Sequence, residues 1–435
     1  MKKSLVLVAL ASAAMLASCN GTGSTCNWSS VALDNFELTE TDIGTSKTAD
    51  ATKMAAYTEA APLKIGLVTD SGTLNDHSFN ESAWNGVNGF ATTNGGGTVS
   101  STSYCVETGK IQTKYVQPAK DAYDTNGRVA AIKSVVTWGA KVVILPGFLF
   151  ESAIKVCIND TALKDVCFLA LDCNKEDPDN GYKAYEYTDK VTSIIYREEQ
   201  AGFEAGYAAV KEGYRKLGFC GGMAVPAVVR YGSGYCQGAD VAAQELKLND
   251  CAINIQYYYA GQFAATAQAT TYCTNWYKNG TEVIFGCGGA VYNSVTTASQ
   301  ANNNKPWIGV DVNQHADTSL GASQASCITS AMKNLLSTTE IMLASWVNEG
   351  GAWKSAYAKN VITVGAKSDN CVLPTPDTTG DSGCWGFKNF SIADYTTLLG
   401  KLKAGTIKVN SNSDNDKLVA ANFSCSAKVK VNYIK

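Results

Sequence analysis

The sequence predicts an α/β protein made of two lobes, each built on a parallel β-sheet. Its 435 residues are enough for two or three compact units at roughly 150 residues each. From about residue 63 onward, short apolar runs alternate with segments of helix length, a pattern typical of βαβ units. With roughly 370 residues after the N-terminal region, two such lobes fit better than one.

The N-terminal segment is typical of an exported protein. Residues 1–3 carry positive charge, and the apolar stretch 5–16 has the length of a signal-peptide core rather than of a membrane-spanning helix. The stretch ends in the motif LASC, which is similar to a bacterial lipobox. We therefore predict a signal peptide over residues 1–18 and a lipid anchor at Cys19 that holds the protein at the membrane. An ordinary signal peptide cut near Ala17 is the alternative.

The rest of the chain divides by composition. Residues 19–62 are rich in Ser, Thr, Asn, Asp and Ala with little periodicity, which predicts a lipid-anchored flexible spacer. We expect lobe I to contain residues 63–193 and about 326–350. We expect lobe II to contain residues 194–325 and about 351–435, including a C-terminal segment.

Within these lobes the predicted elements alternate. The strand-like runs lie at 63–69, 141–145, 166–171, 191–195, 216–219, 253–259, 283–285 and 307–310. The segments of helix length lie at 78–91, 150–158, 198–212, 235–246, 266–278 and 394–403. In parallel sheets of this kind, ligands bind at loops beyond the carboxyl ends of the strands.

Composition excludes several classes of function. Lys and Arg number 36 against 39 Asp and Glu, so the chain lacks the positive excess that a nucleic-acid partner requires. A hydrophobic content of 45% is too high for a disordered chain. No apolar run after the first twenty residues approaches the roughly 18 residues needed to span a bilayer. We expect a globular body outside the cytoplasm.

Cysteine and histidine usage argues against a metal site or a cofactor. The chain has 15 Cys but no C-x-x-C pair, and its histidines are His77 and His315. The sequence therefore lacks the Cys and His spacing typical of a zinc site. Disulfides suit an exported protein, although the sequence does not set their pairing. Five cysteines lie in or beside apolar runs and are expected to be buried free thiols: Cys157, Cys167, Cys220, Cys287 and Cys327.

Four loops that follow predicted strands carry residues suited to ligand binding. Asp70 ends the first strand, and Phe79 lies in the polar loop after it. Glycine-containing loops with Gly147, Met223 and Gly288 follow three other strands. Each loop alone is equally explained as a turn or a helix cap. Four of them together favour a shared crevice.

Charged residues extend this set. Asp311 ends a further strand and Lys333 follows the segment 327–331, so a carboxylate acceptor and an ammonium donor could share sugar hydroxyls. A surface ion pair is the alternative. Asp70 with Asp76 could also act as the paired carboxylates of an exported nucleoside or glycoside hydrolase. The pair at 198–199 is better explained as compensation of a helix dipole.

The chain resembles the basic membrane protein family of ABC-transporter substrate-binding lipoproteins, whose best understood members are purine nucleoside receptors. The segments that carry the resemblance are KIGLVTD and SFN within 64–80, GAKVVILPGFLF at 139–150, REEQAGFEAGYAAV at 197–210, LGFCGGMAVPAVVRYGSGYCQGAD at 217–240, EVIFGCGGAVYNSV at 282–295, and IGVDVNQ with ITSAMK within 308–333. Together they span most of residues 63–350 in the family's order.

The resemblance implies the type I periplasmic-binding-protein fold, in which two doubly wound α/β lobes joined by a hinge close on a ligand. It implies that Asp70 recognises a base and that Phe79 and Phe203 hold a purine between two aromatic rings. It also implies that Asp311 and Lys333 bind the ribose hydroxyls. The other wall residues that it implies are Asn80, Gly147, Met223 and Gly288.

The expected function is therefore that of an extracytoplasmic, lipid-anchored solute receptor of an ABC importer, and not of an enzyme. The ligand is expected to be a nucleoside, the protein partners are ABC permease subunits, and no cofactor is expected. A receptor for another flat or sugar-like ligand and the exported hydrolase remain alternatives. Phe203 also fits a helix core, because it shares helical spacing with Tyr207 and Val210.

Overall fold

The computed structural model describes residues 36–58, 61–70, 73–74, 76–96, 105–106, 108–119, 124–421, 423 and 426–435. The predicted signal peptide, the predicted anchor at Cys19 and the first part of the predicted spacer lie outside these residues. Within the described part of the chain, no helix is both long enough and apolar enough to cross a membrane.

Strands and helices alternate along most of the described chain. The strands are β1 Leu63–Val68, β2 Cys105–Val106, β3 Ile111–Val116, β4 Val142–Pro146, β5 Cys167–Leu171, β6 Glu176–Asp177, β7 Lys183–Ala184, β8 Val191–Tyr196, β9 Lys216–Gly221, β10 Ile253–Tyr259, β11 Val283–Cys287, β12 Trp307–Asp311, β13 Cys327–Met332, β14 Val361–Val364 and β15 Val429–Ile434. The α-helices are α1 Ala51–Thr58, α2 Phe79–Thr93, α3 Thr125–Thr137, α4 Glu151–Ile158, α5 Glu198–Glu212, α6 Pro226–Glu245, α7 Ala267–Lys278, α8 Tyr292–Gln300, α9 Leu335–Asn348, α10 Pro376–Thr379, α11 Ile392–Lys403 and α12 Asn415–Ala420.

The strands β6 and β7 pair only with each other, and the other strands form two large sheets, one in each lobe. The sheet of lobe I has the order β14-β8-β5-β4-β1-β3-β2, and the sheet of lobe II has the order β13-β12-β11-β9-β10-β15. Apart from β2, which pairs antiparallel with β3, the paired strands of both sheets are parallel. The predicted α/β fold of two parallel sheets is confirmed.

Helices cover both faces of the lobe I sheet, so its central strands are apolar throughout. The strands β4 and β5 are buried at every position. On one face, Trp84 and Phe90 of α2 pack in the same cluster as the β1 side chains. On the other face, Ile132 and Val135 of α3 pack with Val143 and Leu145 of β4. Strands covered on both faces lack an alternating pattern, which explains why they appear in the sequence as continuous apolar runs.

In the described part of the chain, three segments cross between the lobes and form the hinge. Arg197 leads from β8 of lobe I to α5, Lys333 leads from β13 of lobe II to α9, and residues 365–371 follow β14 of lobe I. Backbone hydrogen bonds join the crossings, because Arg197 N donates to Val364 O at 2.9 Å and Asn334 N donates to Asn370 O at 2.9 Å. The hinge is therefore a bonded unit rather than three separate linkers.

The expected lobe boundaries are wrong for two strands. We expected residues 326–350 in lobe I, but β13 pairs with β12 in the sheet of lobe II. We expected residues 351–435 in lobe II, but β14 pairs with β8 in the sheet of lobe I. Strand pairing joins residues far apart in sequence, so local composition does not show on which side of a hinge a strand falls.

The prediction of a flexible spacer over residues 19–62 is wrong for residues 36–58. Ile43 and Met54 are buried, and the Tyr57 ring lies 5.4 Å from the ring of Trp346 on α9. Thr41 N also donates to Thr363 O at 2.7 Å. A few apolar side chains within a polar composition are enough to dock this segment on the folded body.

The helices α5 and α6 pack with their backbones in close contact, and glycines make this possible. A Cβ atom on Gly202, Gly206 or Gly238 would lie 1.9–2.1 Å from a backbone oxygen of the facing helix. We predicted a helix at 235–246, but α6 begins earlier, at Pro226. Glycine lowers intrinsic helix propensity, and here the tight helix contact compensates for that cost.

The five cysteines expected to be buried free thiols are all free and buried. A disulfide, which the sequence analysis left possible, is also present, because Cys251 is disulfide-bonded.

Candidate functional site

A cavity of about 510 Å³ lies between the lobes at the carboxyl ends of their strands. This volume falls within the range of small-molecule sites. The predicted binding residues that line it are Asp70, Phe79, Asn80, Gly147, Met223, Gly288, Asp311 and Lys333. Residues from six separate loops and helices of two lobes therefore meet at one place, as the strand-end pattern predicted.

Phe203 does not line the cavity, so its predicted role as the opposing aromatic is wrong. Its side chain is 1% exposed, and its ring stacks on Tyr207 with centroids 6.1 Å apart. The helix α5 is buried on all sides, and Phe203, Tyr207 and Val210 are among its core residues. Phe263, in the loop after β10, lines the cavity from lobe II instead. An aromatic residue in a loop just after a strand was the signal that could have identified it.

Lys333 lies at the floor of the cavity among carboxylates. Its side chain is 2% exposed, and Nζ donates to Asp172 Oδ2 and to Glu198 Oε1, the latter at 3.1 Å. Burial alone would lower the pKa of the Lys333 ammonium, but attraction by Asp172, Glu198 and Asp311 outweighs burial and raises it above its ordinary value. Nζ also lies 4.8 Å from the centre of the Phe79 ring. The site thus holds a permanent cation beside an aromatic face.

Asp172 is a cavity residue that the sequence reasoning missed. Asp172 comes directly after β5, Asp70 comes two residues after the end of β1, and Asp311 is the last residue of β12. An aspartate at the end of a strand is therefore a repeated signal in the sequence. Burial raises the pKa of Asp172 to about 7, even though Lys333 opposes the shift. Its Oδ1 atom is buried and has no hydrogen-bond partner within the described residues. This oxygen can accept a hydrogen bond from a ligand.

Asp311 connects the two lobes across the cavity. The Ser78 hydroxyl of lobe I donates to Asp311 Oδ2 at 2.5 Å, and the Tyr231 hydroxyl donates weakly to Oδ1 at 3.4 Å. A second bond between the lobes runs from Gln314 Nε2 to the backbone oxygen of His77, at 3.2 Å. Burial raises the pKa of Asp311. These contacts show the lobes in a closed arrangement.

The carboxylates of Glu198 and Glu199 are structural, and the expectation that they only balance a helix dipole is incomplete. Both side chains are fully buried. Arg230 Nε donates to Glu198 Oε2 at 2.6 Å, and Arg197 Nε donates to Glu199 Oε1 at 2.7 Å. Burial would raise the pKa of Glu198, but Arg230 and Lys333 hold it below its ordinary value. Glu198 therefore remains charged and fixes the position of Lys333.

Two predicted residues of lobe I are held by local geometry. Gly147 has a φ of 115°, and a Cβ atom there would lie 2.7 Å from Asp70 Oδ2, so only glycine lets Asp70 occupy this place. Asp76 accepts from the backbone N atoms of Ser78 and Asn80, each at 2.9 Å. Its carboxylate therefore caps α2. Burial raises the pKa of Asp76 to about 7.

Three further groups of the wall bear on ligand binding. Asn80 Oδ1 is buried and accepts no hydrogen bond from the described residues. Glu151 lines the cavity, and burial raises its pKa to about 8, although Asn174 N donates to its carboxyl at 2.6 Å. Cys287 also lines the cavity, and burial raises its thiol pKa well above the ordinary value, so the sulfur stays protonated and weakly nucleophilic. In the described chain, no group of three or more His, Cys, Asp or Glu side chains is arranged to hold a metal ion.

Comparison with known proteins agrees with this geometry. A sequence model of the family described as "Bmp: ABC transporter substrate-binding protein PnrA-like" matches residues 64–378. The chain is 28% identical over 260 residues to the ABC transporter nucleoside-binding protein BmpA of Lactococcus lactis, a match that covers 58% of this chain and 64% of that relative. It is 24% identical over 298 residues to Basic membrane protein A1 of Borrelia garinii, covering 66% and 75% of the two chains. The chain thus spans slightly less than two thirds of the first relative.

Solved structures share the fold. A solute-binding protein of an ABC transporter system from Aeropyrum pernix superposes with a TM-score of 0.63 at 18% identity, covering 83% of this chain and 99% of that one. A second such protein, from Conexibacter woesei, gives a TM-score of 0.58 at 18% identity over 80% and 99% of the chains. Both support the type I periplasmic-binding fold that the resemblance implied.

Proposed function

Because the chain belongs to the Bmp family of ABC transporter substrate-binding proteins, we propose that its ligand is a nucleoside, and most simply a purine nucleoside. Substrate-binding proteins of ABC importers work outside the cytoplasm and pass a small molecule to permease subunits. The proposal concerns which small molecule this chain carries and how it holds that molecule.

The observation that carries the proposal is the arrangement around Lys333. Its ammonium lies between Asp172 and Glu198 and within 4.8 Å of the Phe79 ring centre. A vicinal diol needs acceptors for its two hydroxyl hydrogens and a donor for its oxygens. Asp172 Oδ1 and Asp311 offer the acceptors, and Lys333 offers the donor. A ribose seated here would bring its attached base against Phe79.

Aromatic side chains from both lobes suit a flat base. Phe79 belongs to lobe I and Phe263 to lobe II, and both line the cavity. Stacking on an aromatic ring contributes about 1–3 kcal/mol per base. The name of the Lactococcus lactis relative, a nucleoside-binding protein, supports the same ligand class. Asp70 and Asn80 would then accept hydrogen bonds from N–H groups at the edge of the base.

The remaining parts of the proposal concern location. We propose that residues 1–18 are removed as a signal peptide and that Cys19 carries the lipid anchor, because the N-terminal pattern is similar to a lipobox. The anchored receptor would close on the ligand and deliver it to ABC permease subunits in the same membrane. A shift toward the closed arrangement follows if the ligand contacts both lobes at once.

We propose binding without chemistry, as the family of solute-binding proteins suggests. The hydrolase alternative needs Asp70 and Asp76 as an acid and a base. The Asp76 carboxylate already accepts hydrogen bonds from three backbone N atoms of the α2 N-terminus, those of Ser78, Asn80 and Glu81. A carboxylate engaged in this way is poorly placed to exchange protons with a substrate.

The test is thermal unfolding of the purified protein with adenosine, guanosine, inosine, uridine, free bases, riboflavin and sugars. A ligand that binds only the folded state adds about 2.7 kcal/mol of stability at a hundredfold excess over Kd. We expect a selective rise of the midpoint with purine nucleosides. A rise with riboflavin or a sugar alone would replace the ligand class, and no rise at all would contradict the proposal.

Chromatography of the same nucleosides after prolonged incubation separates a receptor from a hydrolase. A receptor returns the nucleoside unaltered. Release of free base in proportion to protein concentration would favour the hydrolase, and loss of that release in an Asp70→Asn variant would assign it to this cavity.

A further inference from the structure

Residues 36–42, called the hinge strap below, lie across the hinge and contact both lobes. At one end, Thr41 N donates to Thr363 O of β14 in lobe I at 2.7 Å. At the other end, Ser411 N donates to Phe36 O at 2.7 Å, and Leu38 N donates to Ser411 Oγ at 3.1 Å. The strap is therefore bonded at two separate places.

The second attachment belongs to lobe II. Residue Asn410, next to Ser411, exchanges two hydrogen bonds with Gln237 of α6: Asn410 N donates to Oε1 at 2.9 Å, and Nε2 donates to Asn410 O at 3.0 Å. The helix α6 connects β9 and β10 of the lobe II sheet. Rotation of lobe II away from lobe I would pull on the strap.

Between its ends, the strap places two carboxylates on the hinge itself. Arg197 NH1 donates to Glu37 Oε1 at 3.1 Å and lies 3.6 Å from Glu40 Oε1. Glu40 also accepts from Gln200 Nε2 at 3.0 Å and from Lys367 N at 3.1 Å. Arg197 and Lys367 lie on two of the three crossing segments. Glu40 therefore contacts two of the three crossing segments.

A continuous chain of buried charges joins the strap to the ligand cavity. Arg197 pairs with Glu199 at 2.7 Å, and Arg230 lies 4.0 Å from Glu199 and 2.6 Å from Glu198. Glu198 in turn accepts from Lys333 at 3.1 Å. Low local dielectric strengthens such interactions and makes them mutually dependent. A change at Glu40 can thus reach Lys333 through pairs that are all buried, and Glu37, whose side chain is 33% exposed, joins the same chain through Arg197.

The strap lies outside the part of the chain that the family shares. The family match covers residues 64–378, whereas the strap and its partner Ser411 lie before and after it. These two extensions meet at the hinge of the shared body. We propose that the hinge strap holds the lobes in the closed arrangement and thereby slows the release of bound ligand. The statement about ligand release depends on the proposed function, whereas the statement about closure does not.

The first test uses the ligand-free protein and amide hydrogen exchange. The variant E37Q/E40Q removes the two strap carboxylates that contact Arg197, with little change of shape. We expect faster exchange in residues 76–82 and 310–317, which face each other across the cleft and are distant in sequence from the strap. The matched control is D250N, which removes an exposed ion pair with Lys428 in lobe II and should leave these segments unchanged. Faster exchange confined to residues 36–42 and 408–411 would overturn the proposal, because the strap would then be only locally packed.

The second test measures dissociation of guanosine or adenosine, whichever stabilises the parent protein, by stopped flow. A closed receptor must open before its ligand leaves, so weakening the contacts of the strap with the hinge in E37Q/E40Q should release the nucleoside about tenfold faster with little change in the association rate. Equal or slower release would overturn the proposal. If no nucleoside binds the parent, the proposed function fails, and the exchange experiment still decides whether the strap controls closure.

Discussion

The two walls of the cavity differ in chemistry. Lobe I contributes carboxyl groups, and those that line the cavity are Asp70, Asp76, Glu151, Asp172 and Glu176. Lobe II contributes mostly apolar and glycine surface, which includes Met223, Ala224, Val225, Val228, Phe263, Gly288 and Val310, together with the polar residues Arg230, Tyr231 and Gln262. Asp311 is the carboxylate on the lobe II side, and it already accepts from Ser78 of lobe I. Lobe I therefore offers the directional contacts that distinguish ligands, and lobe II offers a cover that excludes water.

This difference suggests a division of labour in binding. Hydrogen-bond acceptors discriminate between ligands because an unmatched buried acceptor costs about 1–3 kcal/mol. Apolar burial is non-directional and strengthens binding of any ligand of the right size. Changes in the lobe I wall should therefore alter selectivity, and changes in the lobe II wall should alter affinity uniformly. Lys333, at the crossing between the lobes, should matter to both.

The largest effect is expected for Lys333→Met. The change leaves Asp172, Glu198 and Asp311 without their shared cation, and removing one partner of such a buried group costs about 2–5 kcal/mol or more. With three carboxylates affected, we expect nucleoside binding to become undetectable by isothermal titration calorimetry. Lys403→Met is the control, because it removes only an exposed ion pair with Asp369 and should bind as the parent does.

Folding must be checked for this variant, since unpaired buried charges also destabilise the protein. Circular dichroism tests the fold, and the isosteric variant Asp311→Asn keeps Lys333 with its other two carboxylates. We expect Asp311→Asn to fold and to lose much of the affinity. Binding within threefold of the parent in both variants would contradict the proposal that Lys333 and Asp311 bind the ribose hydroxyls.

The next prediction contrasts Phe79 and Phe203, to which the family resemblance gives the same role of stacking on a purine. Phe203→Ala creates a cavity in the core beside Tyr207 and should lower the free energy of unfolding by about 3–5 kcal/mol, with little change in Kd. Phe79→Ala should do the opposite, costing about 1–3 kcal/mol of nucleoside binding with little change in stability. Urea unfolding and calorimetry on both variants measure the contrast. Reduced affinity in a folded Phe203→Ala variant would restore the original assignment of that ring.

The sequence predicted most of the fold that depends on local burial. The strand β5 is a continuous apolar run, β10 alternates apolar with polar residues over its first half, and both lie where the pattern placed them. The positions of β13 and β14 were not predictable in this way. β13 pairs in the sheet of lobe II and β14 in the sheet of lobe I, each opposite to the lobe that the sequence predicts. Such pairing depends on long-range contacts. The start of α6 was hidden because its glycines lower helix propensity and act only through contact with α5.

Where strand ends carry distinctive residues, the sequence pattern pointed to residues that the structure gathers around one cavity. Asp70 and Asp311 were found because an aspartate follows or ends an apolar run. Asp172 directly follows the apolar strand β5 and has the same context, so the same pattern also predicts it as a cavity residue. Phe203 was misassigned because a family motif outweighed its helical spacing with buried neighbours. Contacts between the lobes, such as that of Ser78 with Asp311, are not encoded in any local pattern.

A pH experiment tests the lobe I wall by itself. Burial raises the pKa of Glu151 from 4.5 to about 8, so between these values the folded state keeps a proton that the unfolded state has lost. The free energy of unfolding therefore falls as pH rises through this window. In Glu151→Gln this contribution is absent, and we expect the variant to gain about 3 kcal/mol relative to the parent between pH 5 and pH 8. Urea titrations at several pH values measure the difference, and a constant difference would contradict a buried, protonated Glu151.

The smallest effect compares single residues from the two walls. Asn80 Oδ1 is a buried acceptor without a partner in the described structure, so an amino group on the base can donate to it. Asn80→Ala should lower the ratio of affinities for adenosine and purine riboside, which lacks the amine, by about fivefold, or roughly 1 kcal/mol. Met223→Ala, in the apolar wall, should weaken both ligands equally and leave the ratio unchanged. Competition binding of the two nucleosides gives the ratio directly. If Met223→Ala changes the ratio and Asn80→Ala does not, selectivity belongs to lobe II and the division between the walls is wrong.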